Sequence, residues 1–268
     1  MNKEDLVSVI MPTYNAGKYL ADSMNSILNQ TYKNLELLIT DDASTDPTTL
    51  QLLKEYASKD ERVKILYLKE NHGAGYARNK SIERAKGRYI AFCDSDDRWT
   101  TDKLEKQIAF MNKKKCALSC ASYIIFDGET QNEIGFCTAP KKITYGMMKR
   151  DNKVGCLTAI YDVQMLGRKF FMPTIRKRQD WALFLQIIRE CKVCYAYPDK
   201  PLAYYCMRRN SISSNKMSLM KYNIAVYKEI LGFHPIKANL YFFTLFLPTY
   251  GAKILKRKFD SYTFTHKK

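Results

Sequence analysis

Three carboxylates fall within four positions of the stretch "AFCDSDDRW": Asp94, Asp96 and Asp97. Like charges this close repel, so the run calls for raised pKa values or a bound cation. Clustered Asp oxygens suit a hard cation, Mg²⁺ or Mn²⁺. Mg²⁺ takes only one or two protein carboxylates and completes its shell with water and substrate phosphates. The expected chemistry is therefore a metal that holds a phosphorylated substrate and offsets charge on a departing phosphate oxygen. The competing reading of the same residues is a solvated acidic turn that caps the next helix.

Asp-x-Asp alone decides little; its position decides more. "LVSVIM" (6–11), "LELLI" (35–39), "VKILYL" (63–68) and "RYIAFC" (88–93) are short apolar runs that predict strands. Helical patterns alternate with them. Leu20, Met24, Ile27 and Leu28 share one face, as do Leu50, Leu53 and Tyr56 after an Asp46 N-cap and Pro47. "GYARNKSIERA" predicts a third helix, and Leu104, Ile108 and Met111 a fourth. Repeated β–α units imply a mostly parallel sheet with helices on both faces. Ligands bind such sheets at the carboxyl ends of the strands. Thr13 and Tyr14 follow the first strand, Asp41 and Asp42 the second, and Asp94, Asp96 and Asp97 the fourth. All are thus expected on one rim.

The middle of the chain is less regular. "CALSCASYIIFD" predicts a strand bent at Ser122, "LTAIYD" another, and "RQDWALFLQIIREC" a helix with Trp181, Phe184, Leu185 and Ile188 inward. "VCYAYPDKPLAYYCMRR" predicts two strands around the Pro198 and Pro201 turn.

"VSVIMPTYNAGKYLADSMNSILNQTYKNLELLITDDASTD" followed by "NHGAGYARNKSIERAKGRYIAFCDSDDRW" resembles the nucleotide-binding half of family 2 glycosyltransferases with the GT-A fold. The likeness covers about the first 105 residues. Further on, "RQDWALFLQI" resembles the family's Glu-Asp-Trp segment and "YYCMRRNSIS" its Tyr…Ser-x-Ser segment. The resemblance implies a Rossmann-like α/β domain over 1–212. Residues 1–110 would bind the nucleotide sugar and 111–212 the acceptor.

It also implies roles. Thr13 and Tyr14 would line the nucleoside pocket, Asp42 would accept from the base, most often uracil, and Asp41 would stand beside it. Arg78 would steady the acidic loop or the nucleotide, and Asp94 would lie near the ribose. Asp96 would ligate the metal, with Asp97 the competing assignment. Asp180 would be the catalytic base. Inverting sugar transfer needs one group to take the proton of the acceptor hydroxyl as it attacks the anomeric carbon. A carboxylate desolvated by Trp181 would have the raised pKa such a base needs. The plainer reading is a helix-terminal charge favoured by the helix dipole. Two departures bear on the acceptor. Gln179 replaces the family's usual Glu. Arg208 and Arg209 stand where many relatives carry His, and arginine would clamp a diphosphate or an acidic acceptor, with Trp181 expected beside them on the acceptor side.

The charge is uneven. The 268-residue chain has a net charge of +17, and from residue 201 on twelve Lys and Arg face only Glu229 and Asp260. A basic end calls for an anionic partner or is a solvated face. Residues 213–268 are expected to form a basic helical extension. Its uncharged run, 239–252, is shorter than the roughly 20 apolar residues of a membrane span. Aromatic residues and Leu flanked by Lys and Arg predict either a segment lying on an anionic membrane surface or a helix folded back on the domain. "MNKEDLVSVI" does not read as a secretory signal. Eight scattered Cys read as reduced core residues, although "CKVC" has metal-like spacing.

The expectation is a cytoplasmic enzyme, peripheral on the inner membrane face. It would move a hexose from a nucleotide sugar, such as a UDP-sugar, to a glycan or lipid-linked glycan in cell-surface polysaccharide assembly. A sugar nucleotidyltransferase would need a Gly-rich basic loop after the first strand, and "PTYNAGKY" is a poor one. A basic nucleic-acid-binding protein would account for the charge but not for acids on the rim, which repel phosphates; no nucleic-acid partner is expected.

Overall fold

The computed structural model describes residues 5–208 and 216–266. Strands β1 (Val7–Thr13) and β2 (Leu35–Asp41) are buried along their whole length, as a strand covered on both faces requires. With β3 (Val63–Tyr67) and β4 (Tyr89–Phe92) they form a parallel set in the order β3-β2-β1-β4. The crossovers are α1 (Tyr19–Leu28), α2 (Pro47–Lys59) and α3 (Ala74–Arg84). Asp46 caps α2 by accepting from the Thr49 N–H at 2.8 Å, and Pro47 takes the first helical position. Gly73, at φ 90°, turns the chain into α3 through a region that side chains disfavour.

Beyond β4 come a two-residue strand, β5 (Arg98–Trp99), and α4 (Lys103–Lys114). The run expected to be one strand bent at Ser122 is two strands in two sheets. β6 (Leu118–Ala121) joins the large sheet and β7 (Tyr123–Asp127) a second one, with Ser122 as the crossing point. There follow β8 (Glu133–Cys137), β9 (Lys142–Thr144), α5 (Tyr145–Arg150), β10 (Ile160–Asp162) and α6 (Val163–Leu166). Then come α7 (Gln179–Cys191), β11 (Val193–Tyr197) and β12 (Ala203–Met207). The large sheet runs β3-β2-β1-β4-β10-β6-β11-β9 and the small one β5-β12-β7-β8. β10 is antiparallel to both neighbours, β4 and β6.

Alternate residues of one strand feed two apolar layers. Val9 and Met11 pack with Leu20, Met24, Leu104 and Ile108. Ile10 packs on the other face with Ile82, Phe92, Phe184 and Leu185.

The C-terminal part is helical: α8 (Lys216–Ala225), a π turn (Val226–Ile230), α9 (Pro235–Tyr241), a second π turn (Phe242–Phe246) and α10 (Leu247–His266). Val226, Tyr227, Ala238, Phe242 and Phe246 are buried in the same layer as Trp181. One side of the uncharged run thus folds back on the domain. α10 continues along the edge strand β8, where the Ser261 hydroxyl accepts from the Phe136 N–H at 3.0 Å and Phe264 stacks on Phe136. A covered edge is protected from pairing with other chains. Among the described residues no helix is long and apolar enough to cross a membrane.

Candidate active site

The rim begins where β1 and β2 end together. Thr13 is in register with Asp41, and the Asp42 N–H donates to the Thr13 carbonyl at 2.8 Å. Asp41 shapes its own loop, accepting from the Ser44 N–H at 3.1 Å and the Ser44 hydroxyl at 2.5 Å. Asp42 ties in the third loop, since its two oxygens accept from the backbone N–H groups of His72 (2.9 Å) and Gly73 (2.7 Å). Asn15, at φ 46°, accepts from Thr45 and Asp46 and closes the first loop onto the second. The result is a rigid cleft floor. Tyr14 is half exposed above it. Thr13 Oγ1 is buried with no hydrogen-bond partner, a group that a ligand would satisfy.

After β4 the chain turns tightly, with the Asp97 N–H donating to the Asp94 carbonyl. The three carboxylates then diverge in role. Asp94 accepts from Arg78 Nη2 at 2.5 Å. Burial works against the charge of Arg78, but Asp94, with a contribution from Asp180, outweighs it and holds the guanidinium more firmly protonated than usual. Asp96 is ion-paired to Arg208, which also lies over the Tyr19 ring. Burial and the Asp94 charge push Asp96 up, against the pull of Arg208. Asp97 is almost fully buried, and Oδ1 accepts from the Cys206 N–H of β12 at 2.9 Å. Burial, followed by the charges of Asp96 and Asp94, pushes it well above the carboxylate range.

Asp97 is therefore a structural clasp between the acidic turn and the second sheet. Of the two candidate ligands, Asp96 is the one on the open side. Buried, mutually repelling carboxylates are a donor set that a divalent cation would relieve, so the turn fits such an ion. Among the described residues, however, no group of three or more His, Cys, Asp or Glu is spaced to form a complete protein cage. The "CKVC" cysteines are included in that statement; the described cysteines are free thiols.

Asp180 reaches the same rim from α7. Arg178, just before it, has a left-handed backbone (φ 68°), a strained position of the kind found at functional sites. Asp180 lies in the first helical turn, and its Oδ2 accepts from Asn152 Nδ2 at 2.9 Å. Its charge acts on both Arg78 and Cys156, alongside that of Asp94. Gln179 covers Gly75, where a Cβ would come within 2.3 Å of the amide. Trp181 corrects an expectation: it is fully buried, donates to the Met148 carbonyl at 2.7 Å, and packs on Tyr227 and Phe246. It anchors the helix and has no surface to offer an acceptor. Arg209 and the Ser-x-Ser segment lie outside the described residues.

The sequence reading missed Asn152, and with it Lys253, which donates to the Asn152 carbonyl at 2.5 Å and pairs with the buried Asp151 at 3.0 Å. Neither stands in a motif. The uncharged run ending at Lys253 was the only local signal, read either as a membrane-surface segment or as a helix folded back on the domain.

A parallel sheet with clefts at its strand ends, joined to a second sheet and an antiparallel strand, is the architecture of GT-A glycosyltransferases. Solved structures agree. Staphylococcus aureus TarS (residues 1–349) in complex with UDP-GlcNAc superposes with a TM-score of 0.68 at 22% identity, covering 88% of this chain and 70% of that one. The mannosyltransferase PcManGT of Pyrobaculum calidifontis, in complex with GDP-Man and Mn²⁺, gives 0.64 at 16% identity, with 95% and 75% covered. The family described as glycosyl transferase family 2 matches residues 8–171. The chain belongs to that family and is a glycosyltransferase.

Two bacterial relatives are similar over most of their length. The Bacillus subtilis (strain 168) protein TuaG, named for teichuronic acid biosynthesis, is 43% identical, with 89% of this chain and 93% of the relative covered. The Escherichia coli protein WfgD, named a UDP-Glc:alpha-D-GlcNAc-diphosphoundecaprenol beta-1,3-glucosyltransferase, is 38% identical over 81% of this chain and 83% of its own.

Proposed function

We propose that the protein transfers a hexose, with inversion, from a UDP-sugar to a lipid-linked glycan in the synthesis of a bacterial cell-surface polysaccharide. The observation that carries this reading is the convergence of Asp94, Asp96, Arg78 and Asp180 on one rim, above a cleft floor that holds an unsatisfied Thr13 hydroxyl. The named donor and acceptor of WfgD support the substrate classes. Thr13, Tyr14 and Asp42 would line the nucleoside pocket. Asp96, assisted by Asp94, would hold Mn²⁺ or Mg²⁺, which when bound would offset charge on the departing diphosphate. Asp180 takes the proton of the acceptor hydroxyl as that oxygen bonds to the anomeric carbon and the bond to the diphosphate breaks. Arg208, released from Asp96, is free to neutralise the leaving group.

Residues 1–110 would be the donor half, 111–212 the acceptor half and 213–268 an extension. The extension would hold the protein, as a peripheral protein, to the anionic inner face of the plasma membrane.

Asp180→Asn should keep metal-dependent UDP binding and lose turnover by roughly 10²–10⁴-fold. Asp96→Ala should lose both. Thermal shifts with UDP, with and without EDTA, and a donor-turnover assay read the two effects separately. Equal stabilisation by UDP in EDTA would remove the metal. Near-normal turnover of Asp180→Asn would remove the base.

A further inference from the structure

Residues 235–266 form one nearly continuous helical rod, and its two sides differ. Ala238, Phe242 and Phe246 are buried on the domain, while Ser261 and Phe264 cover β8. On the other side Ile236, Leu240, Phe243, Leu255, Phe259 and Tyr262 are 55–74% exposed. The spacings 236-240-243 and 255-259-262 are both i, i+4, i+7, the period of one helical face. A straight α-helix would rotate the second triplet away from the first. The π turn at Phe242–Phe246 has more residues per turn and brings it back into line. The stripe is about 40 Å long at 1.5 Å per residue.

Charge identifies the partner. Lys237, Lys256, Arg257 and Lys258 are exposed along this rod, with Asp260 the only acid from residue 235 on. A second copy docking through the same face would bring cations against cations on a chain already at +17. An anionic lipid surface would meet them with opposite charge, and rings and Leu beneath a basic rim suit the boundary between headgroups and acyl chains.

We infer that the outward stripe of the 235–266 rod lies flat in the surface of an anionic bilayer. The inference rests on the peripheral-membrane reading above and assigns it a face. It extends the segment expected from sequence, 239–252, in both directions. The rod also touches the catalytic loop, since Lys253 holds Asn152 and Asn152 holds Asp180. The bilayer contact is therefore linked by two hydrogen bonds to the residue that faces the acceptor.

The test is co-sedimentation of the full chain, without nucleotide, with phosphatidylcholine vesicles containing or lacking phosphatidylglycerol. The full chain should bind the anionic vesicles, and more weakly as salt rises. The triple variant Leu240→Ser/Phe243→Ser/Phe259→Ser should bind at least ten-fold more weakly, with unchanged circular dichroism and UDP binding. Lys256→Gln/Arg257→Gln/Lys258→Gln should lose most of the preference for the anionic vesicles. Equal vesicle binding by wild type and the triple variant would overturn the inference. So would a concentration-dependent dimer that the same triple variant dissolves. Transfer to a lipid-linked acceptor in detergent, measured on wild type and the same variants, should be equal; its absence in wild type would count against the proposed substrates and leave the vesicle result to decide the bilayer contact.

Discussion

In the proposed mechanism Asn152 is a positioning residue for Asp180, whose carboxylate it bonds at 2.9 Å. The Asn152 amide fixes one carboxylate oxygen of Asp180, and losing such a bond to a charged group costs about 1.5–3 kcal/mol. Asn152→Ala should therefore lower kcat about 10–100-fold and leave the donor KM close to its original value, which steady-state kinetics at saturating acceptor would separate. A merely structural role would lower the melting temperature without that split. At this scale the sequence was informative where a residue's chemistry is fixed by its neighbours in the chain. The acidic turn after β4 is of that kind, whereas the roles expected of Asp42 and Asp180 came from the family resemblance and not from their neighbours. It was uninformative where the partner is distant. Nothing near Trp181 signals that Tyr227 and Phe246 enclose it, and nothing near Asp97 signals the Cys206 N–H.

The elements of the first half were legible because each strand is a continuous apolar run and each helix carries its own stripe and cap. The missed strands are β5, two residues long, and β8 and β9, which are part polar and exist through their partners. The crossing at Ser122 registered only as a bend, because a strand that changes sheets keeps its alternation. The approach to β4 carries an element-scale prediction. A Cβ on Gly87 would lie 2.6 Å from the Ser8 amide nitrogen and 2.7 Å from the Leu6 carbonyl, both backbone atoms of the β1 region. Gly87→Ala should destabilise the fold by about 1–3 kcal/mol through forced backbone displacement, read as a lower denaturant midpoint with unchanged slope.

Across the whole molecule, one buried cation links stability to pH. Lys103 is fully buried, bonded to Gln107 at 3.0 Å and seated over Trp99, and burial lowers its pKa from 10.5 to about 7. Above pH 7 the unfolded chain keeps a proton that the folded chain has released, so stability rises with pH until the unfolded value is reached. From about pH 7 to about pH 8.5 the gain should be about 1.5 kcal/mol, and Lys103→Met should abolish it in denaturant titrations. Beyond 9 the buried thiols of Cys93 and Cys194 and the half-buried thiol of Cys156, all pushed well up by desolvation, reverse the slope, because they ionise only on unfolding. The contact between β12 and the acidic turn has a consequence for recombining family members. A chimera that exchanges everything after residue 200 keeps the backbone amide that holds Asp97, which any residue but proline supplies, but exchanges the Arg208 guanidinium that pairs with Asp96. Donor affinity would then change along with acceptor choice, and hybrid enzymes would inherit both traits from the parent that supplies the residue just after this strand.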